Sequence, residues 1–210
     1  MLRLFFLELQ RKAFHISGSL IPIVYYFLSK ETAIIVLSTI NAILLLIEWQ
    51  RLKGKIRFPK IILRPHENNK VAAYIYFQIA ALISILIFDK TIAIASILML
   101  AIGDAAAGLA GALILGNNIR GFNSEKITIK PPVIMVVMFA ICILLGLFLS
   151  GLQMANDMIQ VPFAVYAAGA FGATLGDAIS LRIKGKTIDD NLMIPLLSGL
   201  FMTTANLFWI

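Results

Sequence analysis

Long apolar stretches separated by short polar segments run along the whole chain of 210 residues. A helix needs about 20 apolar residues to cross the hydrocarbon core of a bilayer. Stretches of roughly that length occur at about residues 13–29, 32–48, 72–88, 92–115, 132–150, 159–181 and 192–209. The pattern predicts an all-α polytopic membrane protein with about seven transmembrane helices, formed by a single integral membrane domain over residues 1–210.

The composition excludes a soluble domain, because 60% of the residues are hydrophobic, 14% are charged and the mean hydropathy is +0.92. The first apolar stretch keeps Arg11, Lys12 and His15 at its entry, so we interpret it as part of the bundle and not as a cleaved leader. The single cysteine, Cys142, leaves no disulfide framework and no cysteine-based metal site.

The basic residues predict the orientation of the helices. All 18 lysines and arginines except Lys30 and Lys90 fall in four segments that seven spans would place on one side. The positive-inside rule makes that side cytoplasmic, with the N-terminus inside and the C-terminus outside. The net charge of +7 then reflects topology and contact with anionic membrane lipids. A nucleic-acid partner is not needed, and we expect any active site to face the cytoplasm.

Two Gly-Asp-Ala triplets place Asp104 and Asp177 inside apolar stretches. A lone acid in such a place costs at least a few kcal/mol and is a candidate functional residue. The alternative is a neutral carboxyl group that hydrogen-bonds a backbone carbonyl. If the two acids act together, the helix around Gly103 has to bend or shift, because Asp104 lies nearer the middle of its stretch than Asp177.

The two triplets also suggest an internal repeat. The predicted fourth and sixth spans run in the same direction, and each is followed by a polar loop and another helix, which indicates a possible parallel duplication of about 92–150 and 159–209. Small residues such as Gly172 and Gly176 recur at four-residue spacing and favour close helix packing. We expect the apolar tail of any lipid ligand to lie between such small-residue faces.

Carboxylates and cations meet after the second triplet. Arg182, Lys184 and Lys186 supply charges for phosphate oxygens, and Asp189, Asp190 and Asn191 supply the hard oxygen ligands that suit Mg²⁺. Helix capping explains one of these polar residues but hardly all three. Arg11 and His15 share a helix face with Lys12 adjacent, which fits a phosphate site or an ordinary basic helix entrance. The Glu48 and Arg51 pair is interpreted as a local ion pair that closes a loop.

The order of these elements resembles the membrane-bound polyprenol kinase family, which includes dolichol kinase, phytol kinase and the CTP-dependent diacylglycerol kinase of fungi. The matching elements are Arg11-Lys12-x-x-His15-x-x-Gly18, Glu48-x-x-Arg51, Gly103-Asp104-Ala105-Ala106-Ala107-Gly108-x-x-Gly111, Gly176-Asp177-Ala178 and Asp189-Asp190-Asn191-Leu192-x-Ile194-Pro195-Leu196. The resemblance implies CTP as phosphoryl donor, a divalent cation, and a lipid alcohol such as a polyprenol, dolichol, geranylgeraniol or phytol as acceptor.

One loop departs from the family pattern. Members usually carry a Lys-Ser/Thr-x-Glu-Gly-Ser/Thr-like stretch after the first Gly-Asp element, and residues 120–130 do not restore it in any register. Lys126, Ser124 and Glu125 are candidates for parts of it. The departure leaves open a changed substrate, a changed donor site or lost activity.

The leading hypothesis is transfer of the γ-phosphoryl group of CTP to a lipid alcohol at the cytoplasmic face of the cell membrane, or of the endoplasmic reticulum in a eukaryote. Asp104, Asp177 and His15 are the predicted catalytic residues, one of which accepts the hydroxyl proton. Asp104, Asp177, Asp189 and Asp190 are the predicted Mg²⁺ ligands. The predicted nucleotide-binding residues are Arg11, Lys12, Lys126, Arg182, Lys184, Lys186 and Asn191.

Two other functions use the same residues. A cytidylyltransferase would act on a lipid phosphate with the same CTP and metal, but it would release pyrophosphate. The shortness of the chain and the Asp-Asp-Asn-Leu element favour the kinase. A small cation- or proton-coupled transporter would use Asp104 and Asp177 as ion sites, but transporters typically place such groups near the midplane in inverted repeats.

Overall fold

The computed structural model describes residues 9, 12–13, 15–56, 58, 70–114, 122–123, 127–152, 158–183 and 186–208, with the backbone alone at 122–123, 127–128, 180–183 and 186–187. Residues 15–17 are helical and lead into the first complete helix. The helices are α1 (Leu20–Phe27), α2 (Lys30–Leu52), α3 (Ala73–Ile87), α4 (Lys90–Leu98), α5 (Ala105–Ile114), α6 (Pro132–Ser150), α7 (Phe163–Ala178) and α8 (Asp190–Leu207). The strands are β1 (Phe122–Asn123), β2 (Ile127–Ile129), β3 (Ile179–Ile183) and β4 (Lys186–Thr187).

Among the described residues, three helices are long and apolar enough to cross a membrane: Lys30–Leu52, Lys90–Ile114 and Pro132–Ser150. The second of these is the continuous helix that includes both α4 and α5. The middle one is 72% buried within the protein, against 22% and 28% for the other two. It therefore lies inside the bundle, while the other two present most of their apolar surface outward. The predicted helical architecture is confirmed, and these helices are compatible with a membrane protein.

The helix that carries Asp104 changes its winding just before that residue. Between α4 and α5 the segment Met99–Asp104 forms a π-helix. Wider turns of this kind insert an extra residue and re-aim the side chains that follow, and they often occur at functional sites. The segment packs against α6, where Cys142 is fully buried. The structure thus contains the local irregularity around Gly103 that a shared site of Asp104 and Asp177 demands.

A small antiparallel sheet corrects the sequence prediction in two places. Residues 179–181 belong to β3 and not to the end of a transmembrane helix, and residues 122–123 and 127–129 form a hairpin inside the predicted loop 120–130. The strand order is β1-β2-β3-β4, with Ile129 opposite Ile179 in the central pair. Each Gly-Asp-Ala helix is therefore followed by a hairpin, and the backbone bonds between the two hairpins hold them side by side.

Helix α8 is the centre of the bundle because it packs along α7 and also contacts α3 and α4. Its contact with α7 is backbone to backbone: a Cβ atom on Gly172 would lie 2.7 Å from the Leu197 carbonyl oxygen, and one on Gly176 would lie 2.9 Å from the Ile194 Cα. The small-residue face of α7 is thus filled by α8. At Gly172 and Gly176, α8 therefore occupies the space in which a groove for a lipid tail was expected.

Two lysines tie the helix ends together on the side away from the triplets. Lys30 Nζ donates a hydrogen bond to the Phe88 carbonyl oxygen at 3.0 Å, and Lys90 Nζ donates to the Leu28 carbonyl oxygen at 2.9 Å. Each lysine begins one helix and caps the C-terminal end of another, where a positive charge also complements the helix dipole. These are the two basic residues that the topology prediction left on the other side.

The predicted ion pair of Glu48 and Arg51 is confirmed, and it belongs to a wider hydrogen-bond network than expected. Arg51 donates to both Glu48 oxygens at 2.7 and 2.6 Å, and the carboxylate also accepts from the Ala72 backbone and from Tyr74 Oη. Arg51 donates further to the Lys70 carbonyl oxygen at 2.5 Å. This buried network joins the end of α2 to the start of α3 and closes the long connection between them.

Candidate metal and phosphate site

Three carboxylates from separate elements meet at one end of the bundle. Asp104 ends the π-helix, Asp177 lies in the last turn of α7, and Asp190 begins α8. One oxygen from each lies within 4.8 Å of the other two. Asp104 and Asp177 are buried, whereas the Asp190 side chain is 25% exposed. The cluster is therefore closed toward the bundle and open at Asp190.

The cluster fits a hard divalent cation. Metal–oxygen bonds of about 2.1 Å put two opposite ligands of Mg²⁺ about 4.2 Å apart, and bonds of about 2.3–2.6 Å allow about 5 Å for Ca²⁺. Ligands that are not opposite lie closer together than this, so the three oxygens, which lie within 4.8 Å of one another, would draw inward around either ion. In addition, Asp177 Oδ2 is buried and has no hydrogen-bond partner in the part of the chain that the structure describes. Such an atom is costly unless a ligand completes its environment.

Asp104 also holds two side chains from the N-terminal segment. Lys12 Nζ lies 2.5 Å from Asp104 Oδ2, and His15 Nδ1 lies 3.2 Å from the same oxygen. Gly18 allows this segment to lie against Phe77, because a Cβ atom on Gly18 would lie 2.3 Å from the Phe77 ring. The His15 ring instead packs edge-on against Phe77, with centroids 5.6 Å apart.

Lys130 links the other two acids. Its Nζ lies 2.5 Å from Asp177 Oδ1 and 3.5 Å from Asp190 Oδ2. The sheet positions this lysine, because its backbone N–H donates to the Ala178 carbonyl oxygen at 2.9 Å. Burial alone would lower the pKa of the Lys130 ammonium, but the neighbouring carboxylates, Asp190 foremost, outweigh burial and raise that pKa above its ordinary value. Lys130 therefore stays positively charged.

The chain is similar to one curated protein of undetermined role. This relative is the uncharacterized protein RP860 of Rickettsia prowazekii (strain Madrid E), with 28% identity over 198 residues, which is 90% of each chain. No family model matches the chain. No solved structure matches it either.

Two of the predicted site residues, Asp189 and Asn191, lie beside the carboxylate cluster. Asp189 is the N-cap of α8, where its Oδ1 accepts from the Asn191 backbone N–H at 3.0 Å. Asn191 is fully buried, and its Nδ2 donates to the Ala73 carbonyl oxygen at 3.4 Å. Asp189 is not among the three acids that converge, so the candidate cation site consists of Asp104, Asp177 and Asp190.

The remaining predicted phosphate ligands are only partly located. Arg182 and Lys186 lie on paired strands, with Arg182 opposite Thr187 and Ile183 opposite Lys186. Their side chains are outside the described part of the structure. Arg11, Lys126 and Lys184 lie outside the described residues altogether.

Sequence reasoning missed Lys130 as a site residue. It appeared there only as one of the basic residues that set the topology. The signal that could have found it is its position directly before Pro131 and Pro132, because a helix entered at proline fixes the residue that precedes it. Its partners, however, come from elements 47 and 60 residues away in the sequence, and only the fold brings them together.

Proposed function

We propose that this protein is an integral membrane enzyme that transfers the γ-phosphoryl group of CTP to a lipid alcohol. The observation that carries the proposal is the convergence of three carboxylates, two lysines and a histidine at one end of a bundle of apolar helices. Phosphoryl transfer rests on positioning and charge neutralisation, and this set of groups suits both tasks. The choice of CTP and of a lipid acceptor comes from the resemblance to polyprenol kinases.

In this proposal the acids and the lysines have separate tasks. Asp104, Asp177 and Asp190 hold a divalent cation, which when bound neutralises charge on the triphosphate. Lys12 and Lys130 approach the same space and donate to phosphate oxygens. In the reaction, the lipid hydroxyl oxygen forms a bond to the γ-phosphorus, the bond from that phosphorus to the β-phosphate oxygen breaks, and CDP leaves.

His15 is our candidate for the group that accepts the hydroxyl proton. Its Nδ1 lies 3.2 Å from Asp104 Oδ2, which places the imidazole beside the carboxylates of the proposed cation site. Asp104 itself is less suited to this role because Lys12 holds its Oδ2. The proton taken by His15 then passes to solvent.

The acceptor chain has an apolar cavity available near His15. A cavity of about 170 Å³ lies between α1 and α2 and is lined by apolar residues that include Leu20, Val24 and Leu37. Leu20, in the cavity lining, follows His15 by five residues in the sequence. We propose that the first part of the isoprenoid chain lies here while its hydroxyl group reaches the cluster, so the lipid need not leave the membrane.

We further propose seven spans with the N-terminus in the cytoplasm. The carboxylate cluster lies at the helix ends that adjoin the basic segments, and Lys30 and Lys90 lie at the opposite ends. The positive-inside rule then faces the cluster toward the cytoplasm, where CTP is available.

The test is a transfer assay with the whole protein in lipid nanodiscs. CTP labelled at the γ position, Mg²⁺ and a panel of alcohols from farnesol to dolichol are supplied, and the lipid fraction is counted. We expect label in a lipid monophosphate, with a loss of about 100-fold in Asp177→Asn. The matched control is Asp89→Asn, which removes an exposed acid at the other ends of the helices and should leave the rate unchanged.

Two outcomes would contradict the kinase. If a lipid phosphate is required and the label leaves as pyrophosphate, the protein is a cytidylyltransferase. If no label moves to lipid with any acceptor, and Asp177→Asn alters only ion flux into liposomes, the protein is a transporter.

A further inference from the structure

Both buried acids already have ammonium partners from this chain. Lys12 pairs with Asp104, and Lys130 reaches Asp177 and Asp190 together. Lys130 therefore lies where a cation shared by those two acids would have to bind. A divalent cation bound to these acids would compete with Lys130 at Asp190 Oδ2, and its charge would repel the ammonium group held at Asp177 Oδ1.

The charge of the site works against a divalent cation that arrives alone. The three carboxylates and two ammonium groups carry a formal charge of −1, and a divalent cation turns this into +1 in a largely buried place. Excess charge of either sign is costly where solvent is excluded. A nucleoside triphosphate offsets this excess positive charge, because it brings negative charge and gives the lysines new hydrogen-bond acceptors.

The two lysines differ in their freedom to move. The Lys12 side chain is 2% exposed, whereas the Lys130 side chain is 25% exposed and lies beside the open edge at Asp190. The Lys130 backbone is fixed by the sheet through its bond to Ala178, so only the side chain has to turn. Lys130 is thus the cation that can change partners.

We propose that Lys130 acts as an internal counter-cation that keeps the free divalent ion out of the site until nucleotide is present. Its ammonium holds Asp177 and Asp190 in the absence of nucleotide and turns to a phosphate oxygen when the nucleotide arrives. Cation and nucleotide then bind cooperatively, and each strengthens the other by the same factor. The inference rests on the proposed function insofar as the three acids form a cation site.

Binding of Mn²⁺ to the whole protein in nanodiscs, followed by electron paramagnetic resonance, tests this inference without turnover. We expect Lys130→Met to bind Mn²⁺ without nucleotide about tenfold or more tightly than the wild type. In the wild type, CTP should strengthen Mn²⁺ binding by a similar factor, and in Lys130→Met this gain should shrink. The matched control is Lys70→Met, which removes an exposed lysine away from the cluster and should behave as the wild type.

The inference is overturned if the wild type and Lys130→Met bind Mn²⁺ equally without nucleotide, and the proposed kinase then still stands. Should Lys130→Met fail to fold, the wild type alone decides, because equal Mn²⁺ affinity with and without CTP contradicts the inference. If no variant binds Mn²⁺ even with CTP, both the inference and the cation site of the proposed function fail.

Discussion

Replacement of Gly176 by alanine should separate two of the acids without touching either of them. The added Cβ atom would lie 2.9 Å from both the Ile194 Cα and the Met193 carbonyl oxygen. Ordinary contacts between carbon atoms are about 3.5–4.0 Å, so α7 and α8 would have to move apart by roughly 0.5–1 Å at this level. The obstacle is backbone, which cannot rotate away as a side chain could.

This displacement acts directly on the cluster because Asp177 adjoins Gly176 and Asp190 lies one turn before Ile194. A shift of about 1 Å in a catalytic constellation can cost about 100-fold in rate. Overpacking of this kind also costs about 1–3 kcal/mol of stability, which for a chain of this size lowers the melting temperature by roughly 2–12 °C.

The assay compares γ-phosphoryl transfer, Mn²⁺ binding with CTP and thermal unfolding of Gly176→Ala in nanodiscs. Gly151→Ala is the matched control, since its added Cβ atom would meet nothing closer than 3.6 Å. A Gly176→Ala protein that keeps the wild-type rate and Mn²⁺ affinity would refute the reasoning that α7 and α8 set the distance between the acids.

Three further predictions concern charges around the bundle. Arg51→Met leaves the buried Glu48 carboxylate without its guanidinium and should lower the free energy of unfolding by about 3–5 kcal/mol, measured by denaturant titration; a change below 1 kcal/mol would contradict a buried pair. Lys90→Met removes the charged donor at the end of α1 and should cost about 1.5–3 kcal/mol while the transfer rate per folded molecule is retained; a selective loss of rate would argue against a purely structural role. The pKa of Lys130 is raised above its ordinary value of 10.5, so its ammonium stabilises the fold fully below that pH and the contribution disappears only as the pH rises through the folded-state pKa. Direct titration of the Lys130 ammonium by nitrogen NMR of the labelled side chain should therefore show no deprotonation between about pH 6 and 9, and deprotonation there would contradict the assignment.

The sequence predicted the helical bundle and the two central acids because both depend on local patterns. Apolar stretches of membrane length indicate helices directly, and Asp104 and Asp177 stand out because they interrupt such stretches. The sequence also indicated that the helix around Gly103 would need to be irregular, and the π-helix before Asp104 supplies that feature.

The rest of the site depends on pairings that are distant in the sequence. The hairpins on which Lys130 is positioned contain strands of two to five residues, too short to produce a clear alternation of polar and apolar positions. Asp189 caps α8, and Asp190 belongs to the carboxylate cluster. The sequence positions of these two residues do not show which one has which role. The cavity between α1 and α2 was equally hidden, because it depends on how the helices pack in three dimensions.

The most direct test of the account is a comparison of CTP labelled at the α and γ phosphates in one assay with the preferred lipid alcohol and Mg²⁺. The account predicts that γ label enters a lipid monophosphate in a one-to-one ratio with CDP, that α label stays in CDP, and that chelation of the metal or Asp177→Asn stops the transfer. Appearance of α label in the lipid, or release of γ label with no lipid product, would contradict it.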